Sequence, residues 1–198
     1  MTGEKLLFKH SFDLDRQARA RQKGQKPCVL WFYGLSASGK STLANATASA
    51  LHARGYHVYG LDGDNLRLGL NRDLGFSPAD RAENFRRAAE AAYLLLDAGL
   101  IVLASFITPG DGHRRMVRAC FPEGSFFEIF IDTPLDICIQ RDPKGLYAKA
   151  LVGELDNFPG VSFPFEVPGR PDLRLDGSLT AAALVERVLA FFDRIQGG

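Results

Sequence analysis

The chain is expected to form an α/β domain, a mostly parallel sheet with helices on both faces, and three observations carry that expectation. Four short runs, Cys28 to Gly34, His57 to Leu61, Leu100 to Ser105 and Phe126 to Ile131, are too short for helices and nearly continuous in apolar character, as strands buried on both faces are. Longer segments of helical character lie between them, Lys40 to Arg54 closed by Gly55 and Ser77 to Ala98 closed by Gly99. The alternation of the two kinds of segment is the pattern of parallel strands joined by helical crossovers. At 198 residues the chain suits one domain better than two.

Residues 1–26 precede the pattern as a basic lead-in with seven basic and three acidic side chains. Its opening lacks the apolar run and small-residue site of an export signal. Asp13 to Lys23 fits either a short surface helix or a solvated arm, and no chemistry is assigned to it. The second long helix opens with Ser77 as cap, Pro78 in the first turn and Asp80 near the positive helix end. Asp142 to Pro171 breaks the rhythm with PKG, FPGV, FPF and VPGRP, and a Gly- and Pro-rich excursion of this length in a compact domain is read as a lid. The strand DLRLD and an amphipathic helix from Ser178 to Ile195 close the chain.

Composition narrows the function. With 24 Lys and Arg against 23 Asp and Glu the formal charge is +1, so neither a nucleic-acid nor a membrane partner is expected and any anion site must be local. No apolar stretch approaches the ~20 residues of a membrane helix. Cys28, Cys120 and Cys138 have neither disulfide-like nor metal-like spacing, which fits a reducing, cytoplasmic setting.

Gly34 to Ser41 reads GLSASGKS, the phosphate-loop pattern of Gly, four residues, Gly, Lys and Ser or Thr, placed after a buried strand and before a helix. The fold class therefore sharpens to the P-loop nucleoside triphosphate hydrolase fold. Gly34 and Gly39 permit the turn, main-chain N–H groups from Ala37 to Thr42 can wrap a phosphate, Lys40 can bridge β- and γ-phosphates, and the Ser41 hydroxyl can ligate Mg²⁺. ATP and Mg²⁺ are the expected cofactors. Switches, motors and kinases all use such a loop. The modest length and the lid favour a small kinase over residues 27–198, with the lid at about 142–171.

Ligands of parallel sheets bind beyond the carboxyl ends of the strands, and there HVYGL runs into Asp62, Gly63, Asp64, Asn65 and Arg67. Asp64 can orient or deprotonate an acceptor hydroxyl and Asp62 can hold a metal-bound water, although carboxylates after strands also cap helices. Asp132, ending FFEIFID, competes for the metal side. Arg81 and Asn84 share one face at the start of the Ser77 helix, suited to a second anion, whereas Arg86 and Arg87 read as solvent contacts.

In order and separation, GLSASGKST, LDGDNLRLGLNRDLGF followed by DRAENFRR, DAGLIVLASFI, RDPKGLYAKA and GELDNFPGV resemble the adenylylsulfate kinase family from about residue 28 to the C-terminus. That resemblance implies transfer of the γ-phosphoryl group of MgATP to the 3′-hydroxyl of adenosine 5′-phosphosulfate, in sulfate activation. It implies Asp64 at the acceptor ribose and Arg67, Arg81 and Asn84 around the phosphosulfate and nucleoside. It also implies Phe76 and Phe158 on either side of the acceptor adenine, with Asn157 beside the latter. Ile107 and Thr108 would line the acceptor, Lys144 would be a lid lysine at the substrate, Arg141 would contact ATP, and Leu146 and Tyr147 would anchor the lid. A homodimer, and action beside an ATP sulfurylase, are implied as well. The chain departs from the family pattern at Thr108, where Ser is common, and at Gly110, Asp111 and Gly112, which read either as a more flexible loop or as a change that alters acceptor choice. A kinase for another nucleotide conjugate and a non-catalytic nucleotide-binding module are the alternatives.

Overall fold

The computed structural model describes Phe8 and residues 10–197. The rest of the lead-in, residues 1–7 and 9, lies outside the described residues. Five parallel strands form one sheet: β1 (Cys28–Tyr33), β2 (Val58–Asp62), β3 (Ile101–Phe106), β4 (Phe126–Asp132) and β5 (Leu173–Asp176), in the order β2-β3-β1-β4-β5. β1 is central and buried along its whole length. Period-two alternation sends its residues to two cores. Cys28, Leu30 and Phe32 pack with helices α2 (Lys40–Ala53) and α8 (Ala181–Gly197) on one face. On the other, Val29, Trp31 and Tyr33 pack with α4 (Pro78–Asp97) and α5 (Asp111–Arg118).

β2 departs from the expectation of burial on both faces. It is an edge strand, with Tyr59 half exposed and Gly60 open to solvent, because β3 is its only neighbour in the sheet. The lead-in is also more than an arm. Its Asp15 side chain caps α1 (Arg16–Lys23), Arg19 pairs with Asp97 at 2.6 Å, and the Gln25 amide bonds the main chain of His57 and Gly99. Residues 15–25 are thus docked on the edge of the sheet opposite the strand carboxyl ends.

Short helices the sequence pattern did not announce shape the active edge. α3 (Gly63–Arg67) begins directly after β2 with Asp62 as its cap, and α6 (Leu135–Arg141) and α7 (Leu146–Leu151) lead into and through the lid. The segment from Gly110 to Gly112 is no flexible loop: Gly110 caps α5 and Asp111 and Gly112 form its first turn, where the Asp111 N–H donates to Glu166 Oε2 at 2.6 Å. Arg87 likewise is no plain solvent contact. Its guanidinium reaches Asp73 at 2.7 and 2.9 Å, Glu83 at 2.8 Å and the Leu70 carbonyl at 3.1 Å, tying the loop after α3 to α4.

Candidate active site

The phosphate loop joins β1 to α2 through backbone only a few residues tolerate. Gly34 has φ 153°, and a Cβ there would lie 2.6 Å from the Ile131 carbonyl oxygen. Ala37 and Gly39 are left-handed at φ 57° and 100°. Gly39 caps α2 without any side-chain bond, so the first N–H groups of that helix stay available to an anion, reinforced by the helix dipole. Lys40 folds back over the loop, its Nζ donating to the Leu35 carbonyl and, at 3.4 Å, to Ser38 Oγ. Burial pushes its pKa down from 10.5 to about 8, against the opposing pull of nearby Asp62 and Asp64.

Three oxygens converge beside Lys40. Ser41 Oγ and Ser105 Oγ both donate to Asp62 Oδ2, at 2.6 and 2.7 Å, and the two hydroxyls lie 3.4 Å apart. The sheet brings them together, since Asp62 ends β2 in register with Ser105 of β3. Asp62 Oδ1 meanwhile accepts from the N–H groups of Asp64 and Asn65, at 3.0 and 3.4 Å. The helix-cap reading of this carboxylate thus holds, and its other oxygen stays with the two hydroxyls. Half burial pushes its pKa up, but these four hydrogen bonds outweigh it and hold the carboxyl below its usual range. Ser105 escaped the sequence reading because, although it lies in the DAGLIVLASFI stretch, a lone serine near the end of an apolar strand signals no chemistry by itself. Only pairing with β2 reveals it.

One cleft of about 610 Å³ runs from the phosphate loop across this corner to Arg67, Phe76, Arg81, Asn84, Phe85 and Ile107. Asp64 lines it and pairs with Lys144, which enters from the lid. Phe76 is 63% exposed, with the Arg67 guanidinium 4.3 Å above its ring and that of Arg81 5.9 Å away. Arg67 is held by the carbonyls of Leu74 and Gly75, and Arg81 by those of Phe76 and Asn157. Arg141 donates to the Gly177 carbonyl at 3.0 Å and lines the cleft with Thr42, Leu179 and Leu184.

Some expected residues face elsewhere. Thr108 is fully buried and its hydroxyl accepts from Trp31 Nε1 at 3.0 Å, so its side chain points into the core rather than the cleft. Phe158 is absent from the residues that line the cleft. It is packed in the lid against Tyr147, ring centroids 5.0 Å apart, in a small cluster with Cys138, Ala150 and Leu35. Asn157, left-handed at φ 55°, offers Arg81 its carbonyl. Tyr147 is a lid anchor, its hydroxyl donating to the Ser36 carbonyl at 3.1 Å. Asp132 drops out as a metal-side group. It pairs with Arg174 at 2.6 Å and lines a separate groove with Phe163 and Phe165, because β4 lies on the far side of β1 from β2.

Known proteins resemble this chain over nearly its whole length. A family model described as adenylylsulphate kinase matches residues 26–176. The adenylyl-sulfate kinase of Marinobacter nauticus is 54% identical over 185 residues, 93% of each chain. The bifunctional enzyme NodQ of Rhizobium sp. is 58% identical over 92% of this chain, which spans only 29% of that protein's length. Among solved structures, the APS kinase CysC of Mycobacterium tuberculosis, in complex with AMPPNP and APS, has 46% identity and a TM-score of 0.82 over 85% of this chain and 99% of its own. A hexameric APS kinase from Thiobacillus denitrificans matches at 30% identity and a TM-score of 0.65, over 87% of this chain and 30% of that one. The family match runs from just before β1 to the end of β5 and so spans the whole sheet and most of the residues that line the cleft: the chain belongs to the adenylylsulfate kinase family.

Proposed function

We propose that this chain transfers the γ-phosphoryl group of MgATP to the 3′-hydroxyl of adenosine 5′-phosphosulfate, giving 3′-phosphoadenosine 5′-phosphosulfate and ADP. The observation that carries the reading is a single cleft lined at one end by a phosphate loop and at the other by two arginines around an exposed phenylalanine. Two polyanions can meet there, one held by main-chain N–H groups and Lys40, the other by Arg67, Arg81 and Asn84.

The oxygens of Ser41, Asp62 and Ser105 fit Mg²⁺, a hard cation that takes oxygen donors and, with one carboxylate here, would depend on phosphate oxygens for the rest of its shell. Bound there, the ion would neutralise charge on the β- and γ-phosphates. The chain's own residues supply the remainder. The Lys40 ammonium exchanges its Leu35 and Ser38 contacts for phosphate oxygens, which restore its full charge. Asp64 turns from Lys144 to the 3′-hydroxyl and orients it for in-line attack on phosphorus. The bond from the γ-phosphorus to the β–γ bridging oxygen breaks, the hydroxyl proton passes to Asp64 or solvent, and Lys144 balances charge on the transferring group. Stacking on Phe76 favours a base over a sugar acceptor.

A coupled ADP-release assay tests the proposal with adenylylsulfate against AMP, other nucleotides and gluconate or shikimate. Preference for adenylylsulfate is the expected result, and equal or better turnover of another acceptor overturns it. A homodimer belongs to the same proposal, and sedimentation of the purified chain checks it. Among the described residues no helix is long and apolar enough to cross a membrane.

A further inference from the structure

Thr108 adopts φ 42°, a left-handed conformation that β-branched residues rarely take. Such backbone persists only where its surroundings over-determine it. Two donors do so, one at the side chain and one at the carbonyl. Trp31 Nε1 holds the Thr108 hydroxyl at 3.0 Å, and Arg114 Nη1 lies 3.3 Å from the Thr108 carbonyl and 3.5 Å from that of Pro109. The same Nη1 donates to the Glu166 carbonyl at 3.0 Å, while the Glu166 N–H donates to the Pro109 carbonyl at 2.8 Å. Arg114 is 4% exposed, over the ring of Tyr33 at 5.6 Å, and the Asp111 carboxylate 3.6 Å away is its charge partner. A buried guanidinium therefore binds two pieces of chain far apart in sequence, the turn after β3 and the returning end of the lid. Ile107, directly before Thr108, lines the cleft, and its carbonyl accepts from the Gly34 N–H of the phosphate loop at 3.4 Å.

We propose that Arg114 is a positioning residue for the acceptor: it staples the turn after β3 to the lid and, with Trp31, keeps Thr108 left-handed so that Ile107 faces the bound nucleotide. Arg114 lines no part of the cleft and acts through that turn. The inference rests on the kinase reading above in needing an acceptor on the Ile107 side.

The test separates acceptor from donor. Arg114→Met removes every donor at that position while keeping an apolar stem, and is expected to raise the KM for adenylylsulfate by about tenfold while the KM for ATP moves by less than about twofold. Arg114→Lys, which restores one donating nitrogen, is expected to recover most of the loss. An unchanged acceptor KM in Arg114→Met, equal rises in both KM values, or no recovery with lysine overturns the proposal. If circular dichroism shows Arg114→Met to be unfolded, Trp31→Phe carries the test. It removes the indole N–H together with part of the ring volume, can keep the stacking on Phe106, and should raise the acceptor KM alone. No selective rise there overturns the proposal too. Wild-type turnover scores the kinase reading separately, and if another nucleotide proves to be the acceptor the same split is read on that nucleotide.

Discussion

Replacing Lys40 by methionine should abolish phosphoryl transfer and make the unliganded protein more stable. The side chain is buried, and its pKa falls from 10.5 to about 8 because burial penalises the charged form. That depression corresponds to about 3 kcal/mol of instability at neutral pH, at ~1.4 kcal/mol per pH unit. Methionine leaves the Leu35 carbonyl without its donor, which returns about 1 kcal/mol. The net gain is about 2 kcal/mol, or a melting temperature higher by about 4–8 °C for a domain of this size. The sign also sets a pH dependence. Since the native pKa lies below the unfolded one, the penalty is complete below about 8, fades as pH rises towards 10.5 and is absent beyond it. Calorimetry of both proteins without nucleotide, at pH 7 and again at the highest pH the fold withstands, checks this. A methionine variant that melts lower at pH 7, or a gain that does not shrink at alkaline pH, would refute the argument.

Further outcomes follow from the same cleft. ATP binding near pH 8 should take up about half a proton as phosphates restore charge to Lys40, seen as a buffer-dependent binding enthalpy in titration calorimetry; release of protons would contradict it. Asp62→Asn keeps an oxygen to cap α3 but removes the charge at the Ser41–Ser105 corner, so kcat should fall by at least about a hundredfold with little change in melting temperature. Phe76→Ala should raise the acceptor KM by about tenfold or more, the worth of one stacked base, and leave ATP binding alone. Tyr147→Phe removes the bond to the Ser36 carbonyl and should cost about 1 kcal/mol in denaturant unfolding, while weakening retention of ATP.

Much of this site was readable before any coordinates. GLSASGKS after a buried strand specifies a turn that only glycine permits at Gly34, and DGDN directly after the next strand specifies a carboxylate at the sheet edge. Features that depend on which strand lies beside which were not readable. Asp62 and Asp132 both end strands, yet one faces the phosphate loop and the other pairs with Arg174, a choice made by the order β2-β3-β1-β4-β5. Ser105 and Arg114 carry no signature of their own, and the roles argued for them need neighbours more than forty residues away, Asp62 and Glu166.

Local chemistry thus settles the anion-binding turn, the helix caps and the alternating apolar faces, because each rests on torsions and contacts within a few residues. Long-range packing settles which oxygens converge, why the Lys40 pKa is lowered, why Phe158 rests against Tyr147 and how a strained Thr108 is held. Those outcomes turn on burial and on partners brought together from distant parts of the chain, and neither exists until the sheet has closed around β1.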